Sequence, residues 1–273
     1  MELRRKQIRQ QIIHWAENEP NVYLLVEEGA IAKERFVDQY SDLDINVFGQ
    51  EDEILNFAER TDWLMQIAEP LWYIPLDFEV PAARLRSLLV IFENGVKVDF
   101  SFWKSTLLEA PFPYYEKYRV LLDKQQYSEC LPAFIRSVQP VPLEQQEFER
   151  IVRESWFDLH YVAKFGARRD AFFVQSMLQS IRTGYLLPLL EEVARLDGAT
   201  PEFSGRKMAY WLDARWLDRL PEVYAHWGES VLPELLSLLE DLQLEVARKR
   251  GFQLDLARIS RMKKLLLELD ASQ

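Results

Sequence analysis

Cysteine is all but absent from this 273-residue chain: Cys130 stands alone, which excludes an intramolecular disulfide and fits a reducing, cytoplasmic setting. Histidine is nearly as scarce. His14, His160 and His226 lie far apart, and no Cys/His pair has the spacing of a zinc site. No apolar run is long enough to cross a bilayer, and the charged, helix-patterned opening from Met1 to Gln10 lacks the apolar stretch of a secretory signal, so no membrane partner is expected. Positive charge is in deficit too: 33 Lys plus Arg stand against 44 Asp plus Glu, for a formal net charge of −11 and a pI near 5.0. A field of that sign works against a nucleic-acid partner and favours cationic small molecules, although acidity also serves simply to keep a protein dispersed. Internal repeats and low-complexity tracts are absent as well.

What is present argues for two folded cores. Apolar residues make up 48% and aromatics 13%, far from a disordered composition. The 8 Trp and 16 Phe supply large buried surfaces, or flat walls for a ring-shaped ligand. The length exceeds that of a usual single domain. Residues 3–17 read as a helix with Ile8, Ile12, Ile13 and Trp15 on its apolar stripe, and the breaker cluster Asn18-Glu19-Pro20-Asn21 separates it from a strand at Val22 to Val26. Gly29-Ala30 marks a tight turn, Glu51 to Ile67 carries a helical face, and strands recur near Trp72-Tyr73-Ile74 and around Gly95. Pro132, Pro140 and Pro142 then punctuate the chain. Beyond them apolar spacing is helical throughout, over 148–165, 171–193, 206–216, 232–247 and 254–269. The reading is α+β: a mixed sheet with helices over 1–135, followed by a helical bundle over 136–273 that contributes to the substrate cleft.

Chemistry concentrates in Tyr40-Ser41-Asp42-Leu43-Asp44-Ile45-Asn46-Val47-Phe48, where an apolar run follows two aspartates. Side chains alternate along a strand, so both carboxylates project to one side and Leu43 to the other. Anions that close repel one another, and a hard divalent cation resolves the repulsion. Aspartates at strand ends also serve as turn formers and solvated caps. A second run, Val96-Lys97-Val98-Asp99-Phe100-Ser101-Phe102, follows Leu88 to Phe92 through Glu93-Asn94-Gly95, a hairpin signal, and puts Asp99 on the face of Lys97. An antiparallel hairpin would present Asp99 to the sheet that carries Asp42 and Asp44. The three would then form a magnesium cage; alternatively, Asp99 is a solvated residue of an edge strand.

The order helix, strand, Gly turn, paired aspartates, third aspartate resembles the nucleotidyltransferase fold shared by DNA polymerase β and the antibiotic-modifying nucleotidyltransferases. Asp62-Trp63-Leu64 followed by Leu89-Val90-Ile91-Phe92-Glu93-Asn94-Gly95-Val96-Lys97-Val98-Asp99 is similar to the pattern of aminoglycoside 6-adenylyltransferases, also called streptomycin adenylyltransferases. So are Tyr161-Val162-Ala163-Lys164 with Arg168 shortly after, and Ser204-Gly205-Arg206-Lys207 leading into Tyr210-Trp211-Leu212, which looks like a helix opening. One departure stands out: the fold's Gly-Ser before the paired aspartates is here Gly29-Ala30, preceded by Glu27 and Glu28, two carboxylates that would oppose a triphosphate.

The resemblance implies an enzyme that transfers adenylate from ATP to a hydroxyl of a cationic aminoglycoside such as streptomycin. Asp42 and Asp44 would hold Mg2+ on the triphosphate. Asp99 would be a third ligand or the base that takes the hydroxyl proton. Backbone amides at Gly29 and Ala30, with Lys164, Arg168 and Lys207, would contact phosphates, and acids such as Glu79 and Glu93 are candidates for the cationic acceptor. Two other readings stay open: transfer to a different acceptor, and nucleotide binding without turnover.

Overall fold

The computed structural model describes residues 1–80, 83–108, 117–131, 142–224 and 231–271, so Pro132, Pro140 and His226 lie outside the described residues. Two compact units form, Met1–Gln139 and Pro140–Gln273. Among the described residues, no helix is long and apolar enough to cross a membrane.

The first unit opens with α1 (Glu2–Asn18), whose Ile8, Ile12, Trp15 and Ala16 recur at helical spacing and are buried. Then come β1 (Val22–Glu28), α2 (Gly29–Lys33), β2 (Leu43–Gly49), α3 (Glu51–Leu55), β3 (Pro70–Val80), β4 (Ala83–Phe92), β5 (Lys97–Lys104) and β6 (Arg119–Asp123). They build a six-stranded sheet in the order β3-β4-β5-β2-β1-β6. Neighbours are antiparallel except β2 and β5, which run parallel. The hairpin between β4 and β5 turns at Gly95 (φ +82°), and the Val96 amide donates to Asn94 Oδ1 at 3.0 Å.

Alternation gives the sheet two unlike faces. Leu25, Ile45, Val47, Phe100 and Phe102 join the helical layer, where Trp15 stacks on Trp63 at 4.3 Å and Trp63 meets Phe100 edge-on at 5.1 Å. The opposite face carries a smaller cluster with Leu24, Val26, Phe48, Leu85 and Trp103, and beside it a polar row.

Two expectations change here. The helical face expected from Glu51 to Ile67 is α3 followed by two 3-10 turns, Asn56–Ala58 and Asp62–Gln66. Trp63 Nε1 donates to the Phe57 carbonyl at 3.0 Å, taking that acceptor out of any helical ladder, while Ile54, Ala58, Trp63, Leu64 and Ile67 stay buried. Strand β6 is not announced by the sequence, because Arg119-Val120-Leu121-Leu122-Asp123 has no period-two alternation of apolar and polar residues.

The second unit is helical: α4 (Gln145–Ala167), α5 (Ala171–Ile181), a π-turn (Arg182–Leu186), α6 (Leu187–Leu196), α7 (Ala214–Leu217), α8 (Leu232–Arg250) and α9 (Leu256–Asp270), with short 3-10 turns between. Leu235, Leu238, Leu239, Leu242 and Val246 of α8 line its core with Phe148, Ile151 and Leu159 of α4. A fully buried Gln243 ties these helices together, accepting from Trp156 Nε1 at 2.9 Å and donating to Ser155 Oγ at 3.1 Å. The helix expected to open near Lys207 does not form. Gly205 and Lys207 take positive φ (73° and 55°), Met208–Tyr210 is a 3-10 turn, and α7 starts only where Asp213 accepts from the Arg215 amide at 2.9 Å.

Candidate active site

Register on the polar face of the sheet builds the site. Asp44 on β2 pairs with Asp99 on β5 and with Glu28 on β1, so three acids lie in one row across three adjacent strands. One position further along, Asn46, Ser101 and Ser87 form a second row. Both rows line an open cavity of about 330 Å³. Ser87 and Ser101 share a hydrogen bond of 3.1 Å, and Asn46 Oδ1 accepts from Trp103 Nε1 at 2.7 Å, which fixes the floor.

Asp42 sits one residue before β2, at the end of a loop that α1 holds in place. Arg5 Nη1 donates to the carbonyls of Asp38 and Ser41 at 2.8 and 2.9 Å, and the Tyr40 amide donates to Asp38 Oδ1 at 2.8 Å. The Asp42 carboxylate faces Lys97, whose Nζ lies 3.1 Å from Asp42 Oδ2 and 2.6 Å from Asp99 Oδ1. Burial works against the Lys97 charge, but the hydrogen bond and charge of Asp99, joined by Asp42, outweigh it and hold the ammonium above its ordinary pKa. A lysine therefore occupies the space between two of the three aspartates. Among the described residues, no group of three or more His, Cys, Asp or Glu is placed to hold a metal ion. These residues do not fit a three-aspartate cage; the carboxylate oxygens on this face are hard donors of the kind a divalent cation takes.

Gly29 closes the row from below. Its φ of +73° is one that side chains rarely adopt, and a Cβ there would lie 1.9 Å from Asp44 Oδ2. Ala30 follows it inside α2. The two glutamates upstream, expected to oppose a triphosphate, are both buried. Glu27 is fully buried and bonded to Arg9 at 2.6 Å, with Arg119 at 3.5 Å. Glu28 is only 4% exposed; burial, partly offset by a hydrogen bond with Asn46 and reinforced by the Asp44 charge, pushes its carboxyl up to about 8.

Lys164 lies in the last turn of α4, and Arg168 caps it. Both stand over the ring of Phe165, at 5.9 and 5.2 Å from its centroid, and neither forms an ion pair among the described residues. Lys207 sits in its left-handed turn in the same unit.

Residues 3–269 match the streptomycin adenylyltransferase family. The chain belongs to that family. It is therefore a nucleotidyltransferase. Among solved structures, an aminoglycoside 6-adenyltransferase from Bacillus subtilis is 19% identical over 97% of both chains, with a TM-score of 0.45. A nucleotidyltransferase-like protein from Exiguobacterium sibiricum is 14% identical over 97% of this chain and 89% of that one, with a TM-score of 0.25. No curated protein matches.

The sequence assigns no role to Lys97, Ser87, Ser101 or Asn46, which share this face with Asp44 and Asp99, and marks Glu28 only as a carboxylate opposing phosphate. Alternation already put Lys97 on the face of Asp99, which was the available signal. Glu28 and Ser87 join the row only through pairing with strands distant in sequence, and no spacing reveals that.

Proposed function

We propose that this adenylyltransferase transfers adenylate from ATP to a hydroxyl of an aminoglycoside such as streptomycin, with magnesium, releasing pyrophosphate. The observation that carries the reading is the pairing of Asp44 with Asp99 on an open polar face, in a chain of the streptomycin adenylyltransferase family. In the reaction, the acceptor oxygen forms a bond to the α-phosphorus as the bond to pyrophosphate breaks, and the hydroxyl proton passes to a base. Little covalent chemistry falls to the protein, so its contribution is positioning and charge. Magnesium, held by Asp44 and Asp99, would supply positive charge against the triphosphate.

The remaining work belongs to the chain itself. Gly29, lacking a side chain, leaves the Asp44 carboxylate accessible. Lys97 fixes Asp42 and Asp99. Backbone amides at Gly29 and Ala30 are assigned to phosphate contact, as are Lys164, Arg168 and Lys207, the guanidinium as a planar fork and the ammonium groups as point charges. The net charge of −11 supports a cationic acceptor over a nucleic acid. We place the reaction in the cytoplasm, in keeping with the lone Cys130.

The test is mass spectrometry of a panel of aminoglycosides incubated with ATP, magnesium and the protein. An adenylate adduct on streptomycin or a relative is expected, and no adduct on any of them would remove the reading. Ala30, standing where the fold usually has serine, motivates a second reading in which another small molecule is the acceptor. Pyrophosphate release without an antibiotic adduct would select it.

A further inference from the structure

The ammonium of Lys97 occupies the space between Asp42 and Asp99. Its Nζ is 2.6 Å from Asp99 Oδ1 and 2.7 Å from Asp99 Oδ2, and 3.1 Å from Asp42 Oδ2. Magnesium needs oxygens at about 2.0–2.1 Å in a near-octahedral array, so an ion shared by Asp42 and Asp99 would have to stand where the ammonium stands. The contact is not a loose surface pair. The Lys97 side chain is 34% exposed, and strand alternation brings it to the face of Asp99 from two residues upstream on β5. In formal charge, Asp42, Asp44 and Asp99 with Lys97 leave two negative charges, which one divalent ion neutralises.

We propose that Lys97 is a tethered counter-cation that holds one cation position on this face, so that the site takes up a single divalent ion with the nucleotide and not a pair. The inference rests on the nucleotidyl-transfer reading for the role of this face, and it adds to that reading the number of divalent ions the face takes up. Lys97 acts here as a positioning residue: it orients Asp42 and Asp99 and fills the gap between them, without touching substrate. Its removal opens a metal site rather than closing one.

The experiment is a Mn2+ titration of the full chain followed by electron paramagnetic resonance, with Mn2+ alone and then with a non-hydrolysable ATP analogue. Wild type is expected to bind one Mn2+ per chain with the analogue. Lys97→Met is expected to bind one more, and to take up Mn2+ alone about tenfold more tightly than wild type, since an unscreened carboxylate pair attracts it. Lys97→Arg keeps the cation and should match wild type, and adding Asp99→Asn to Lys97→Met should abolish the gained site. Any wild-type count other than one overturns the proposal, and that count requires no variant to fold. So does a Lys97→Met protein that melts like wild type and binds Mn2+ no differently. A protein that gains the Mn2+ site in Lys97→Met yet adenylates no aminoglycoside keeps this inference and loses the transfer reading.

Discussion

With φ at +73° and only 1.9 Å between a would-be Cβ and Asp44 Oδ2, Gly29 tolerates no side chain. Gly29→Ala is expected to cost about 1–2 kcal/mol in backbone strain and to push Asp44 out of its row. Thermal unfolding should show the first effect and loss of adenylate transfer the second; a fully active variant would mean that Asp44 is not needed where it sits. Glu28 gives a pH signature. Its folded carboxyl titrates at about 8, against 4.5 for the ordinary group, so as pH rises through that window the unfolded chain releases a proton that the folded chain keeps, and stability falls. Glu28→Gln escapes that loss. Its stability relative to wild type should therefore climb between about pH 4.5 and 8, by at most about 1.4 kcal/mol per pH unit, and level off above, as denaturant melts at several pH values would show. That Asp44 and Asp99 each lie on the polar side of a strand was legible in the sequence, because a period of two is written in the apolar residues around them; Asp42 lies in the loop before β2. The Lys97 bridge to Asp42 was not legible, since it depends on how β5 meets the residues that lead into β2.

At the scale of elements, the parallel pairing of β2 with β5 aligns Asp44 with Asp99, and the long helices α4 and α8 line the core of the second unit. Gln243 joins those two helices through Trp156 and Ser155 with no water exposure. Gln243→Leu fits the apolar surroundings but strands the Trp156 indole N–H, and should cost about 1–3 kcal/mol in a denaturant melt. Gln243→Glu, which retains an acceptor, tests whether the bond or the shape matters: if both variants melt like wild type, the hydrogen bonds contribute nothing. Helices of three turns or more were readable from their apolar stripes, as in α1, α4, α8 and α9. The stretches 51–67 and 206–216 carry similar spacing, yet they break into short turns, because Trp63 takes the Phe57 carbonyl in one and Lys207 adopts a left-handed conformation in the other. Side-chain capture of a backbone group leaves no trace in periodicity.

For the whole molecule, a net charge of −11 implies that attraction to a polycationic acceptor weakens with salt. The KM for an aminoglycoside should rise several-fold between about 0.05 and 0.5 M NaCl while kcat changes little, because screening acts on encounter more than on the reacting atoms. A KM indifferent to salt would remove charge as the source of affinity. The acidity was plain from composition, whereas where it gathers depended on the sheet.

Trp103 carries a practical consequence. Its indole N–H is bonded to Asn46 at the floor of the cavity, and the ring stacks on Phe48 at 5.7 Å in an otherwise dry cluster. An indole so placed is a built-in optical reporter: on the proposed reading, a nucleotide settling above it would alter the field along the ring and shift its emission. The difference between the spectra of the native enzyme and Trp103→Phe would isolate that signal from the other seven indoles, allowing occupancy to be followed in real time without a label.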